Sequence, residues 1–71
     1  METITITTEY IRLQDLMKLA DMVSSGGEAK QLIQDGQVIV NGEICLQRGK
    51  KIRPGDTVTF QNRTYTAAYA T

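Results

Sequence analysis

A chain of 71 residues has room for one thin hydrophobic core and no deep pocket, and its 41% hydrophobic and 23% charged residues are typical of a compact globular domain. The single cysteine excludes an internal disulfide framework, and the absence of histidine excludes histidine-based acid–base catalysis and histidine–cysteine metal sites. The eight basic and eight acidic residues cancel, but residues 1–35 hold three basic and six acidic residues (−3), whereas residues 36–71 hold five and two (+3).

The first ten residues, METITITTEY, contain neither a basic leader nor an apolar signal core. No apolar run reaches the roughly 20 residues that span a bilayer. We therefore expect one cytoplasmic domain, residues 1–71, that contacts no membrane, binds no metal or cofactor and catalyses no reaction.

The first elements in chain order are a strand and a helix. Residues 3–7, TITIT, alternate threonine with isoleucine, which predicts a short strand. A helix from about residue 12 to 22 follows from apolar residues spaced at i, i+3, i+4 and i+7, which form one stripe facing a core. These residues are Leu13, Leu16, Met17 and Ala20.

The stretch SSGGEAK, residues 24–30, predicts the start of a second helix. Ser25 and Glu28 have the spacing of a capping box, in which each side chain caps the other residue's backbone amide. The helix that follows would bury Ala29, Leu32 and Ile33, and Gly36 is suited to its C-terminal cap. The sequence thus predicts two short helices joined by a very tight turn.

Two glycines in the first turn of this helix need an explanation, because each costs up to about 1 kcal/mol relative to alanine. One explanation is that the interhelical turn needs Gly26 and Gly27 for their conformation or for close packing. The other is that the absence of a Cβ lets a phosphate approach the unpaired amides of the helix N-terminus. The sequence leaves both open.

The second half of the chain follows a period of two, which predicts β-structure. QVIV and EICL flank Asn41-Gly42, the signature of a hairpin whose two turn residues both need a positive φ. We expect a brief strand at Ile52, a turn at residues 54–56, a strand at 57–61, a reversal at Asn62-Arg63 and a last strand at 64–70.

The segment RGKKIR, residues 48–53, holds four cations and no acid: Arg48, Lys50, Lys51 and Arg53. Guanidinium and ammonium groups bind phosphates, so this basic segment is a candidate nucleic-acid contact. The alternative is a solvated loop whose charges keep a sheet edge from pairing with other chains. The predicted outer face of the second helix favours phosphate binding, because it presents backbone, a cation and amides without an acid: Gly27, Lys30, Gln31 and Gln34.

The cysteine and two of the tyrosines are interpreted as structural. Cys45 lies in a predicted strand without a histidine to activate it, so a buried small side chain is favoured over a thiol-dependent activity. Tyr65 and Tyr69 lie on one side of the last predicted strand, where packing on an edge strand is favoured over base stacking.

Four motifs, LMKLA, SGGEAK, GQVIVNGE and RGKKIRPGD, occur in the order and spacing of a known family. The chain resembles, over about residues 10–60, the RNA-binding domain named after ribosomal small-subunit protein four, or alpha-L motif. It is most similar to short stand-alone bacterial members of the YaaA and YbcJ type. The resemblance implies an α+β fold with two short helices packed on a small antiparallel β-sheet, and RNA held across the second helix and the neighbouring loop.

Matched position by position, the resemblance implies ten RNA-binding residues: Arg12, Ser25, Gly26, Gly27, Lys30, Gln31, Arg48, Lys50, Lys51 and Arg53. It also implies that Gly42, Gly55 and Asp56 serve the fold. The acidic first helix, with Glu9, Asp15 and Asp21, and the neutral total charge depart from the most basic members, which favours one particular structured target over tight binding to any RNA.

Together these observations predict a non-enzymatic module that binds structured ribosomal or transfer RNA, in ribosome assembly or translation, with a ribosomal subunit as a candidate partner. The alternative is a ribosome-associated protein adaptor without RNA contact, which docks a protein by strand addition at the hairpin or the tyrosine-bearing edge. Steep weakening of binding with salt is expected only for the RNA-binding function.

Overall fold

The computed structural model describes residues 2–70, which form two helices and seven strands. The elements in chain order are β1 (Glu2–Ile6), β2 (Ile11–Arg12), α1 (Leu13–Leu19), α2 (Gly26–Gln34), β3 (Ile39–Val40), β4 (Glu43–Ile44), β5 (Lys51–Ile52), β6 (Thr57–Phe60) and β7 (Arg63–Tyr69). This arrangement confirms the predicted α+β class. Neither helix within residues 2–70 has the length and apolarity needed to cross a membrane.

The strands form one five-stranded sheet, in the order β1-β7-β6-β3-β4, and a separate two-stranded ribbon, β2–β5. Pairing is antiparallel except between β1 and β7, where Glu2 lies opposite Tyr65 and Ile6 opposite Tyr69 in a parallel register. A parallel pair needs a long crossover, and here the helices and the hairpin supply it. The sheet is therefore mixed, and β7 lies inside it rather than at the edge that the sequence suggested.

The core lies between the helices, the large sheet and the ribbon, and the predicted apolar helix faces point into it. Seven of its larger side chains are almost completely buried: Leu13, Leu16, Met17, Ile33, Ile52, Val38 and Val58. Because Ile52 comes from the ribbon, the ribbon is anchored in the same core as the helices.

Helix α1 is shorter than predicted, and the reason lies at its C-terminus. Asp21 adopts φ 59°, and the amides of Asp21 and Met22 donate to the carbonyls of Lys18 and Met17 at 3.1 and 2.9 Å. These two bonds form a Schellman motif, which usually has glycine at the left-handed position. Residues 20–25 then make a connection longer than the tight turn that the sequence suggested.

Helix α2 begins and ends where the sequence predicts. The Ser25 hydroxyl accepts a hydrogen bond from the Glu28 amide at 3.2 Å, which confirms the Ser25 half of the capping box. At the other end, Gly36 adopts φ 75° and Gln37 N–H donates to the Leu32 carbonyl at 3.2 Å. Gly36 is therefore the left-handed residue of a second Schellman motif.

Two hairpins have two-residue turns in the left-handed region. Asn41 and Gly42 adopt φ 51° and 84°, as the Asn-Gly signature predicts. The reversal between β6 and β7 lies at Gln61-Asn62, with φ 51° and 65°, one position earlier than predicted. The shift occurs because Arg63 pairs with Phe60 as the first residue of β7.

Candidate nucleic-acid interface

The β2–β5 ribbon brings Arg12 to the basic segment. Its antiparallel register places Ile11 opposite Ile52 and Arg12 opposite Lys51. Because side chains alternate between the faces of a strand and Ile52 is fully buried, Arg12 and Lys51 project together on the outer face, where both are exposed. The ribbon thus holds two distant cations side by side. Arg12 belongs to this strand and is the N-cap of α1, rather than its first helical residue as predicted.

The beginning of α1 is capped by the backbone of the basic segment. Leu13 N–H donates to the Lys50 carbonyl at 2.9 Å, and Gln14 N–H donates to the Arg48 carbonyl at 3.1 Å. Arg12 itself provides no side-chain cap. Since the segment satisfies these amides with carbonyls alone, the side chains of Arg48 and Lys50 remain exposed.

Tyr10 lies next to two of the candidate cations, and sequence reasoning missed it. Its ring lies beneath two cations, with Lys51 Nζ 4.9 Å and Arg53 Cζ 6.0 Å from the ring centroid. The available signal was positional: in a strand that buries Ile11, residues 10 and 12 share the opposite face. That strand was not predicted, so the signal could not be used.

The outer face of α2 has the composition that the sequence predicts. Gly27, Lys30, Gln31 and Gln34 are exposed, whereas Ala29 and Ile33 are buried. Gln31 Nε2 donates to Asp35 Oδ1 at 3.1 Å, which places an acid next to the C-terminal end of this face. The first turn of α2 also holds an exposed acid, Glu28, so an acid borders this face near each of its ends.

The fold itself requires neither glycine at the start of α2. Beyond the adjacent residues and the backbone of α2 itself, a Cβ added to Gly26 would meet no atom of residues 2–70 within 4 Å, and one added to Gly27 would meet only Ser25 Oγ at 3.9 Å. Neither residue has a left-handed backbone conformation. Close packing and a left-handed turn conformation therefore do not explain this glycine pair.

The two parts of the candidate site are joined through α1, which packs against both α2 and β5. The ribbon part contains Arg12, Arg48, Lys50, Lys51 and Arg53. The helical part contains Ser25, Gly26, Gly27, Lys30 and Gln31. Within residues 2–70 the two ion pairs of the protein, Lys18–Asp15 and Arg63–Glu2, involve none of these cations.

Arg63 is held apart from the candidate site. Its Nε donates to Glu2 Oε2 at 3.0 Å, and Nη2 donates to the same oxygen. The hydrogen bond to Glu2 and the carboxylate charge raise the pKa of Arg63 further above its ordinary value. The ion pair ties β1 to the start of β7.

Tyr65 and Tyr69 differ in their surroundings. Tyr65 is only 4% exposed, so it packs in the sheet and cannot stack on a base, whereas Tyr69 is exposed near the end of β7. The Cys45 thiol is half-buried against the core and donates to the Gln47 carbonyl at a sulfur–oxygen distance of 3.5 Å. Tyr65 is therefore a packing residue, as expected, whereas Cys45 is only partly buried and lies just beyond β4.

A hydrogen-bond network fixes the turn that follows Arg53. Asp56 Oδ2 accepts from Arg53 N–H at 2.8 Å, and Asp56 Oδ1 accepts from Asn41 Nδ2 at 3.1 Å. Asn41 Oδ1 in turn accepts from Thr57 N–H at 2.9 Å. Together with the left-handed Gly42 and Gly55, Asp56 therefore has the fold role that the resemblance implies.

Comparison with known proteins decides the family. The sequence model of the S4-domain family matches residues 4–67. The chain belongs to the S4-domain family. This S4-domain protein is 43% identical over 58 residues, covering 82% of each chain, to RlbA of Bacillus subtilis (strain 168), which is named for ribosome maturation. It is 41% identical over 51 residues to YbcJ of Escherichia coli (strain K12), which is named for RNA binding, covering 72% of this chain and 73% of YbcJ.

A solved structure supports the same assignment. The solution structure of Escherichia coli YbcJ, described as revealing an alpha-L motif involved in RNA binding, superposes with a TM-score of 0.72 at 33% identity. The superposition covers 96% of this S4-domain chain and 87% of YbcJ. The family resemblance drawn from the four sequence motifs is thereby confirmed.

Proposed function

We propose that this S4-domain protein is a non-enzymatic module that binds structured ribosomal or transfer RNA through phosphate and shape contacts. One observation carries the proposal: an anchored ribbon holds Arg12 directly opposite Lys51, and no acidic residue among residues 2–70 forms an ion pair with either. Like charges in this position destabilise a strand pair. A phosphate bound between them would reverse the sign of that interaction.

Arginine and lysine bind phosphate in different ways, and the ribbon offers both. The Arg12 guanidinium can donate two parallel hydrogen bonds to one phosphate, while Lys51 contributes a compact charge. Arg48 and Lys50 extend the exposed basic surface beside them. This surface suits a run of phosphates along an RNA strand.

The start of α2 supplies the second proposed contact. The open space at Gly26 and Gly27 lets a phosphate approach the free amides of the first turn, where the helix dipole favours negative charge. Lys30 and Gln31 add a cation and an amide one turn later. Two phosphate contacts at a fixed separation select RNA by shape, as expected for structured RNA.

The balance of charge limits the kind of RNA that is bound. Eight acidic residues offset eight basic ones, so non-specific attraction to polyanions is weak. Charges farther apart than about 8–10 Å are screened at cellular salt, so the local cation cluster still acts on a phosphate that reaches it. We therefore infer a particular folded target rather than any RNA.

Ribosome assembly is the process that we propose, with a ribosomal subunit as the partner and the cytoplasm as the location. The name of the relative RlbA, which refers to ribosome maturation, supports this process. Crosslinking the protein to RNA in cells and sequencing the bound fragments tests it. Enrichment of ribosomal RNA sites is expected, and enrichment of transfer RNA alone would move the process to translation.

A second candidate function, a protein adaptor, is favoured by one apolar surface. Strand β4 is an edge of the large sheet; its Ile44 is 64% exposed, and Leu46, two residues later, is 61% exposed. An adaptor would bind a protein here by strand addition. Binding to ribosomes that is insensitive to salt and abolished by Ile44→Glu would favour the adaptor over RNA binding.

A further inference from the structure

We propose that Tyr10 is a positioning residue for the RNA-binding cations: its ring holds Lys51 and Arg53 in the geometry in which they meet phosphate. The inference rests on the proposed RNA-binding function and adds to it a residue outside the four motifs that carry the family resemblance. It also assigns a role to the segment between β1 and α1.

The geometry of the ribbon brings the ring and the cations together. Tyr10 immediately precedes β2, and Arg53 immediately follows β5, so both continue the outer face that carries Arg12 and Lys51. The Lys51 ammonium lies 4.9 Å and the Arg53 guanidinium 6.0 Å from the ring centroid. Both distances are within the range of about 6 Å at which a cation is attracted to the face of an aromatic ring.

The Tyr10 backbone is also fixed. The Thr8 hydroxyl donates to the Tyr10 carbonyl at 2.6 Å, and the next residue, Ile11, packs against the core. Tyr10 itself is half-buried, with Lys51 and Arg53 over its ring. The ring is therefore a stable platform, whereas free lysine and arginine side chains are mobile.

This platform affects affinity through conformational entropy. Exposed lysine and arginine side chains have many accessible rotamers, and part of this conformational entropy is lost when they bind a phosphate. A ring that already restricts Lys51 and Arg53 reduces that loss on binding. The attraction of each cation to the ring also opposes the repulsion between neighbouring cations of the ribbon.

The test compares three proteins, the parent, Tyr10→Phe and Tyr10→Leu, by filter binding of radiolabelled, protein-free bacterial ribosomal RNA. Phenylalanine keeps the aromatic ring, whereas leucine keeps apolar bulk without it. We expect Tyr10→Phe to bind within about twofold of the parent and Tyr10→Leu to bind about three- to tenfold more weakly. Thermal unfolding is measured alongside, and Tyr10→Met replaces Tyr10→Leu if the leucine variant does not fold.

A second set separates positioning from direct contact with RNA. In a background carrying Lys51→Ala and Arg53→Ala, Tyr10→Leu should weaken binding no further, because the cations that it positions are gone. The side-chain proton resonances of Lys51 report the contact without RNA. An upfield ring-current shift is expected in the parent and in Tyr10→Phe, and its loss in Tyr10→Leu.

Each contrary result has one meaning. If the parent binds no RNA, the proposed function fails and this inference fails with it. If the parent binds but Tyr10→Leu binds equally well, or if the Lys51 resonances show no ring-current shift, the inference alone fails. A loss that persists in the background without the two cations assigns Tyr10 to direct base contact and overturns the positioning role.

Discussion

Arg12 and Lys51 are direct cross-strand neighbours on the exposed face of the β2–β5 ribbon, so the protein holds two like charges side by side. Because the two charges repel each other, their effect on the stability of the free protein is expected to be opposite to their effect on RNA binding. Removing a charge that stabilises the fold lowers the free energy of unfolding. Removing a charge that serves only to bind a ligand does not.

Neutralising Arg12 should therefore stabilise the free protein and weaken its complex. Arg12→Gln relieves the repulsion from Lys51, and we expect a gain of about 0.2–1 kcal/mol in the free energy of unfolding at low salt. RNA affinity should fall, and the slope of log affinity against log salt should decrease by roughly 0.7–0.9. Chemical denaturation and a salt titration of RNA binding measure the two effects.

Lys18→Gln is the matched control, because Lys18 lies on α1 but is paired with Asp15 at 3.4 Å. It should leave the salt slope unchanged and should not stabilise the protein. If Arg12→Gln behaves like Lys18→Gln in both measurements, Arg12 does not belong to the RNA site.

The basic segment should provide most of the salt dependence. Its carbonyls cap α1, so side-chain substitutions there leave the helix cap intact. Lys50→Ala with Lys51→Ala should flatten the salt slope by up to about 1.5 units if both lysines contact phosphate. Arg48→Glu with Lys51→Glu should have a larger effect, because it adds repulsion.

Arg63→Ala is the control for this series. It removes an arginine that is already paired with Glu2, so the salt slope should equal that of the parent. Equal slopes across all variants, with unchanged thermal unfolding, would leave the basic segment as a solvated loop and favour the adaptor function.

Substituting a glycine at the start of α2 should affect the stability of the protein and its affinity for RNA in opposite directions. Gly27→Glu places a better helix former and a favourable negative charge in the first turn, where the added Cβ meets only Ser25 Oγ at 3.9 Å. We expect an unchanged or higher free energy of unfolding and weaker RNA binding. Gly27→Ala should stabilise by up to about 1 kcal/mol with a smaller loss of affinity.

Thr5→Glu controls for added charge, since Thr5 is exposed on β1 at the edge of the large sheet. It should leave affinity close to that of the parent. RNA binding by Gly27→Glu as tight as by the parent would contradict the access explanation for the glycines.

Gly42 should affect the fold and not the site. Its φ of 84° is strained for a β-branched residue, so Gly42→Val should lower the free energy of unfolding by roughly 1–3 kcal/mol. RNA binding, measured below the unfolding temperature, should be retained. Selective loss of binding in a fully folded Gly42→Val protein would place Gly42 in the RNA site.

The sequence predicted features that local chemistry determines. The period of the apolar residues gave the buried face of α2, and Asn41-Gly42 and Gly36 gave a hairpin turn and a helix end because those positions need left-handed backbone. Prediction from the sequence failed where a residue other than glycine or asparagine occupies the left-handed region. Asp21 ends α1 with a left-handed residue, so the predicted helix ran three residues too far.

The remaining failures concern pairing between distant segments. TITIT predicts a strand but not its parallel partner β7, and nothing local to Tyr10 or Arg12 indicates that the chain near residue 52 will pair with them. Alternation predicts which residues share a face only once a strand is recognised, and β2 is two residues long. Tyr10 was missed for this reason.

The parallel pairing of β1 with β7 determines when parts of the fold can form during synthesis of the chain. Glu2 and Tyr65 are 63 positions apart (65 − 2), so at roughly 5–20 residues per second β1 waits about 3–13 s for its partner to be made. Strand β2 waits a shorter time, about 2–8 s at the same rate, since Lys51 lies 39 positions after Arg12 (51 − 12). The helices can form earlier because their contacts are local, so a nascent chain presents the glycine-bearing start of α2 seconds before it can assemble its cation cluster.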